Sequence, residues 1–321
     1  MGAKKANINT MNNPARTSGL FYTHTMIKNI TPHIITGTLP DFVTLEKALQ
    51  QMPFVPTTGQ QNKSVGWVPP RADGGLFVES VNGQLIMRFM VETRQVPASV
   101  VRSRVDELAA AIEASTGRKP GKKQRRDLQE QAVAELLPNA FPRKRATWVW
   151  IDREKRRLII DSTSAGTVDD IITALVKLVD GFVAQPLQTV MSPATAMACW
   201  LEDQCAPGDF DIGKACELSG LEIPREVVRY KNHPLLTEEV INHIARGKAP
   251  TSLDLEWDGR VSFTLTDDLK LKKISFSDVV LEQSKAQGQR ADDFDGDVLM
   301  ATSEIGQMMD ELIAELDGVV K

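Results

Sequence analysis

Apolar positions recur along this chain with two different periods. At Val101, Val105, Leu108 and Ile112 they return every three or four residues, and they do so again at Leu128, Ala132, Val133, Leu136 and Leu137. That spacing puts each set on one helix face. Pro97 opens the first segment, Gly117 follows it where a left-handed terminal residue belongs, and Pro138 helps to stop the second. A short Gly/Pro connection makes the pair an antiparallel hairpin, an arm of two helices of about 20 residues each and about 25 to 30 Å long. Elsewhere the period is two. MIKNITPHIIT (26–36) reads as a strand, and LFVES and GQLIMRFMVETRQV flank Asn82-Gly83 as a β-hairpin. ATWVWID with RRLIIDS form a second hairpin, and REVVRYK, SLDLEWDGRVSFTLT and LKLKKISF read as further β runs.

Shorter helices are predicted after Asp41 and after Thr167, each as an N-cap, in LTEEVINHIARG, and around 277–288 and 301–316. SVGWVPPRADGG (64–75) reads as punctuation, because Pro69-Pro70 fits neither a central strand nor a helix interior. Strands and helices are interspersed without a regular βαβ period or internal repeat, so the fold class is α+β.

Charge changes this picture more than composition does. The chain has 321 residues and a formal net charge of −4, yet Arg88 to Arg157 hold 17 Lys/Arg against 9 Asp/Glu. Six of those cations, Arg118, Lys119, Lys122, Lys123, Arg125 and Arg126, fall within GRKPGKKQRRD (117–127) at the helix–helix connection, and Arg143, Lys144 and Arg145 follow the second helix, where they could line one side of the arm. Fields act within a Debye length of about 8 to 10 Å, so an acidic protein can still present a basic surface to a polyanion. The alternative is a solvated helix start. Lys122 to Arg126 crowd a helix N-terminus, against the macrodipole, at a cost of about 0.3 to 1 kcal/mol each, and such a local cost is often kept for binding.

Other chemistry is sparse. DDFDGD (292–297) invites a cation, but Val298 stands where an EF-hand loop needs Gly. Two readings of it stay open: an acidic helix cap, or a Mg²⁺-dependent nuclease using Asp293, Asp295 and Asp297. Cys199, Cys205 and Cys216 are an odd set without C-x-x-C spacing, and four scattered histidines suggest no triad or zinc site. No catalytic residue, metal or cofactor is expected. Trp67, Trp148 and Trp150 read as core. No apolar run reaches a membrane span, and residues 1–25, polar and without an apolar leader, read as a disordered or mis-assigned extension of a cytoplasmic protein.

GWVPP (66–70), the NGQ turn (82–84), TGRKPGKKQRRDL leading into LLPNAFPR, the WVWID strand and DFDGDVLMATSEI occur in an order and spacing that resemble the RdgC family, the recombination-associated proteins of bacteria, from about Met26 to the C-terminus. The resemblance implies a non-enzymatic, sequence-nonspecific binder of double-stranded DNA. It implies a horseshoe-shaped subunit that pairs into a ring-shaped homodimer around the duplex, restrains RecA-promoted strand exchange and associates with the nucleoid. Its parts would be a centre (26–96 and 146–190), a tip (97–145) and a base (191–321). Arg118, Lys119, Lys122 and Arg125 match basic family positions in the tip, as do Arg229 and Lys231 in the base. Phe141 matches an apolar residue that meets its twofold mate; from the residues alone it could equally be a core aromatic. Asn139 and Asn232-His233 depart from the pattern. A pure protein-interaction module, its basic arm docked on an acidic partner, is the third class of function.

Overall fold

A computed structural model describes residues 26–59, 61–71, 75–220, 226–286 and 294–320; the expectation for residues 1–25 lies outside them. Seven strands form one antiparallel sheet: β1 (Thr31–Ile35), β2 (Lys63–Val68), β3 (Val78–Val81), β4 (Gln84–Arg94), β5 (Pro142–Asp152), β6 (Arg157–Ile160) and β7 (Ala184–Pro186). Their order is β2-β4-β5-β6-β1-β7, with β3 sharing β2's side of β4. The predicted hairpins are both present. Asn82 and Gly83 take φ of 48° and 79°, as the tight turn requires, and β4 and β5 pair from Leu85↔Ile151 to Arg94↔Pro142.

Alternation gives this sheet two buried faces. Leu85, Met87, Phe89, Val149 and Ile151 pack under α1 (Phe42–Leu49) and α4 (Ala165–Leu178). Ile86, Trp150 and Ile159 belong instead to the larger core on the other side. Asp41 caps α1 by accepting the Thr44 N–H at 2.7 Å. The cap expected at Thr167 is Ser164, because the helix begins at Ala165.

Residues 64–68, expected as punctuation, are strand β2. Gly66 is what admits it. A Cβ there would lie 2.6 Å from the Phe54 backbone, and residues 52–54 run alongside, with Trp67 donating to the Met52 carbonyl and Phe54 to that of Trp67. The prolines end this edge strand rather than preventing it.

The arm consists of α2 (Ala98–Thr116) and α3 (Lys122–Leu136). α3 is shorter than expected, 15 residues against 19 for α2, or about 22 Å against about 28 Å. A 3-10 turn (Leu137–Asn139) returns the chain to β5. β5 starts at Pro142, so Arg143, Lys144 and Arg145 lie in the central sheet and do not line the arm.

A second antiparallel sheet has the order β12-β11-β10-β8-β9, built from β8 (Phe210–Gly220), β9 (Val227–Tyr230), β10 (Lys248–Trp257), β11 (Val261–Thr266) and β12 (Leu271–Phe276). β8 was not anticipated. With it pack α5 (Pro193–Glu202), α6 (Glu238–Ala245) and α8 (Phe294–Glu315), while α7 (Asp278–Ala286) follows β12. α8 begins seven residues before the predicted helix start, because Val298, Ala301, Ile305, Met308 and Leu312 form one continuous buried stripe. Burying each large side chain of that stripe contributes about 1.5 to 3 kcal/mol.

The two sheets share a seam. Ile30 and Leu271 exchange backbone hydrogen bonds, Ile274 donates to the Lys28 carbonyl, and the N–H groups of Lys28 and Asn29 both donate to Asp161 Oδ1, at 3.0 and 2.8 Å. Trp67 and Trp150 are buried, whereas Trp148 is half-buried between Arg88 and Phe294. Among the described residues no helix is long and apolar enough to cross a membrane.

Candidate nucleic-acid interface

The arm holds together through its own small core. Val101, Val105 and Ala109 of α2 meet Leu128 and Ala132 of α3, with Leu108, Ile112 and Val133 packed around them. Gly117 then takes φ of 71° and donates to the Glu113 carbonyl at 2.8 Å, and this left-handed residue turns the chain toward α3. At the next cap Gly121 offers no side chain, and α3 has no acidic residue in its first turn. The leading N–H groups of α3 therefore stand beside Lys122 and Lys123, and the helix dipole adds to their field rather than offsetting it.

All six cations of residues 117–127 are exposed. Arg125 pairs loosely with Asp106 (3.4 Å) and Arg126 with Glu130 (3.5 Å). Arg118, Lys119, Lys122 and Lys123 have no acidic partner within 4 Å among the described residues. The free end of the arm thus concentrates positive charge that the protein does not neutralise.

At the root, α3 is anchored to the central sheet. Arg94 donates through Nε to Thr57 Oγ1 at 2.8 Å and through Nη1 to the carbonyls of Pro138 and Ala140, each at 3.1 Å. Thr57 in turn donates to the buried Glu92 carboxylate, and these bonds, with Lys144 at 3.5 Å, hold that carboxyl below the usual range. Arg143 is exposed at the start of β5, opposite Thr93. Phe141 sits just before it and is 90% exposed, which overturns its reading as a core aromatic. It lies at the opposite end of α3 from the basic turn, about 20 Å away.

In the second sheet β9 is an edge strand. Its Arg229 projects from the face opposite the core, directly across from Glu217, with Nε 2.5 Å from Oε2. Lys231 is exposed just beyond the strand. Lys214, which sequence reasoning missed, is exposed on β8, and its carbonyl accepts the His233 N–H at 3.0 Å, bringing the 231–233 turn against it. The available signal was the Cys216-Glu217-Leu218-Ser219 alternation, which the irregularity between β8 and β10 cuts short.

The acidic motif is the first turn of α8. Asp293 lies outside the described residues. Asp295 is 2.6 Å from Arg71, which also pairs with Glu79 at 3.1 Å and lies over the Phe294 ring, and Asp297 follows within the same helix. Glu304, further along α8, is bound to Arg260. Among the described residues no three His, Cys, Asp or Glu side chains gather as metal ligands. Cys199 and Cys205 are exposed; Cys216 is buried, and burial pushes its thiol up to about 12.

A family profile described as "Putative exonuclease, RdgC" matches residues 26–319. Proteins named "Recombination-associated protein RdgC" are similar over nearly the same span. That of Dechloromonas aromatica (strain RCB) is 37% identical over 284 residues, 87% of this chain and 93% of the relative. That of Herminiimonas arsenicoxydans is 37% identical across 85% of this chain and 91% of the relative. That of Cupriavidus necator is 38% identical across 85% and 92%. The profile covers most of the chain and these relatives cover nearly all of theirs: the chain belongs to the RdgC family of recombination-associated proteins.

Proposed function

We propose that this protein binds double-stranded DNA without sequence preference, as a ring-shaped homodimer of horseshoe-shaped subunits that encircles the duplex and restrains RecA-promoted strand exchange in the nucleoid. The observation that carries the reading is the free end of the arm. There four cations without acidic partners surround an uncapped helix N-terminus, an arrangement that is unfavourable for the isolated fold and suited to phosphate. Phosphate contacts give affinity without reading bases. The exposed Phe141 supplies an apolar surface for the partner subunit, far enough along α3 to leave the basic turn open to DNA.

Binding of mixed-sequence duplex should weaken with salt, log K falling by about 0.9 per decade for each phosphate neutralised. Affinity indifferent to salt, or confined to one short sequence, overturns the proposal. A ring should also leave circular DNA more slowly than linear DNA of equal length; equal rates argue for a surface patch.

The description of the matching profile favours a second reading, a nuclease. Its candidate carboxylates would come from the first turn of α8, where Asp295 is engaged by Arg71. DNA binding without cleavage is the reading we adopt. Nicking of supercoiled plasmid in Mg²⁺ or Mn²⁺ that Asp295→Asn abolishes would replace it.

A further inference from the structure

The second sheet holds a cation in reserve. Arg229, Lys231 and Lys214 are all exposed on neighbouring stretches of β8 and β9, a corner of that sheet, yet only the first has an acidic partner within 4 Å among the described residues. Its partner Glu217 stands on the adjacent strand, directly opposite and on the same face, because Cys216 and Leu218 on either side turn into the core. The contact uses one guanidinium nitrogen, Nε, and the arginine side chain remains 62% exposed. A guanidinium donates to carboxylate and to phosphate oxygens with the same fork of N–H groups, so the two compete for it.

We propose that Glu217 is an intramolecular competitor for phosphate: this corner binds the DNA backbone through Lys214 and Lys231, and Arg229 joins them only when phosphate displaces Glu217. This rests on the DNA-binding reading and adds to it a brake on that affinity and a contact residue, Lys214. An exposed ion pair is weak enough to exchange and, while formed, removes one positive charge from the corner. The brake holds the corner weaker than the arm, so the arm engages first.

The test is a double-mutant cycle on the full-length protein, read as affinity for a labelled mixed-sequence duplex across a salt series. Glu217→Gln should tighten binding about two- to tenfold and steepen the log–log salt slope by about 0.9. In an Arg229→Ala background the same change should do nothing. No gain from Glu217→Gln overturns the proposal, as does a gain that persists without Arg229, because Glu217 would then act by general repulsion. Lys214→Gln, at an exposed position that should not affect folding, should weaken binding; unchanged affinity removes it from the site. Lys122→Glu with Lys123→Glu in the arm separates the two levels. If the unaltered protein shows no salt-dependent affinity for the duplex, the DNA reading itself falls; if the arm pair abolishes binding while Glu217→Gln is silent, only the competitor falls.

Discussion

The arm and the second sheet hang from the same central sheet by opposite means. The arm keeps a private core of five buried residues and joins the body through a root where one side chain, Arg94, ties the 57 loop to the carbonyls after α3. The second sheet has no private core. Ile86, Trp150 and Ile159 of the central sheet lie in one continuous cluster with Leu253, Leu265 and Ile305, and the strap at residues 27–30 threads between the sheets. A region with few buried contacts opens at low free energy, while a region sharing the main core opens only with the whole. Charge differs in degree between the two. Four cations at the arm's free end stand without acidic partners among the described residues, whereas the second sheet sets the paired Arg229 beside the unpaired Lys214 and Lys231. The movable part therefore carries the denser uncompensated charge, and the rigid part a mixture in which one cation is already held.

The comparison breaks most sharply in the two cores. Leu128→Ala truncates the one buried leucine of the arm's five-residue core, and Leu253→Ala does comparable damage in the shared core; each should cost about 2 to 5 kcal/mol. The first cost should fall on the arm alone. Hydrogen exchange should speed through α2 and α3 while β4, β5 and β10 stay protected. The second should accelerate exchange in both sheets together. If Leu128→Ala also lowers protection in β10, the arm is not an independent unit.

Charge reversal gives the next effect. Lys122→Glu with Lys123→Glu should lower affinity for duplex DNA about a hundredfold at moderate salt and flatten the salt slope by about two units. Helix content should hold or rise, since acids at those positions suit the α3 dipole. A stable, well-folded variant that no longer binds is the expected result. Binding that survives with an unchanged slope would move the contact away from the arm.

Much of this contrast is written in the residues. The arm was legible because its apolar period, Pro97, Gly117 and Pro138 all mark the same two helices, and the basic run falls between them. Core positions of β4 and β5 were legible from alternation around Asn82-Gly83. What stayed hidden depends on contacts distant in sequence. Gly66 looks like a breaker until Phe54 is seen against it, and Arg143 to Arg145 look like arm residues until β4 pairs with them. β8 is masked by its irregular register, and with it Lys214 and the Arg229–Glu217 pair, which no spacing between positions 217 and 229 would suggest. Sequence showed which cations exist; only the fold shows which already have partners.

Phe141 tests the arm's root. Phe141→Ala should change unfolding free energy by less than about 0.5 kcal/mol, because the ring packs on almost nothing, and should weaken self-association by about 1 to 2 kcal/mol. Sedimentation against concentration reads the second quantity and chemical denaturation the first. A stability loss of about 3 kcal/mol with unchanged association would return the residue to the core.

Proton binding sharpens the picture of the other attachment, at the strap. Burial raises the Asp161 carboxyl to about 6, only partly offset by the N–H groups of Asn29 and Lys28 and by the charges of Arg145 and Lys28. The folded protein therefore keeps a proton there that the unfolded chain releases near 3.8. Its contribution is complete below that value and is lost as pH rises toward and through about 6. His33, buried on β1, has its affinity for protons lowered by burial, so its contribution runs the other way and is lost on acidification below about 6.5. Asp161→Asn keeps an oxygen to accept from Lys28 and Asn29 and removes the buried charge. It should add about 1 to 3 kcal/mol at pH 8, the upper figure being the worth of the full shift, and little at pH 4. Because the strap joins the two sheets, the gain should show as slower exchange in β6 and β12 together, with the arm unaffected. A gain equal at both pH values would mean that charge burial is not what strains the seam.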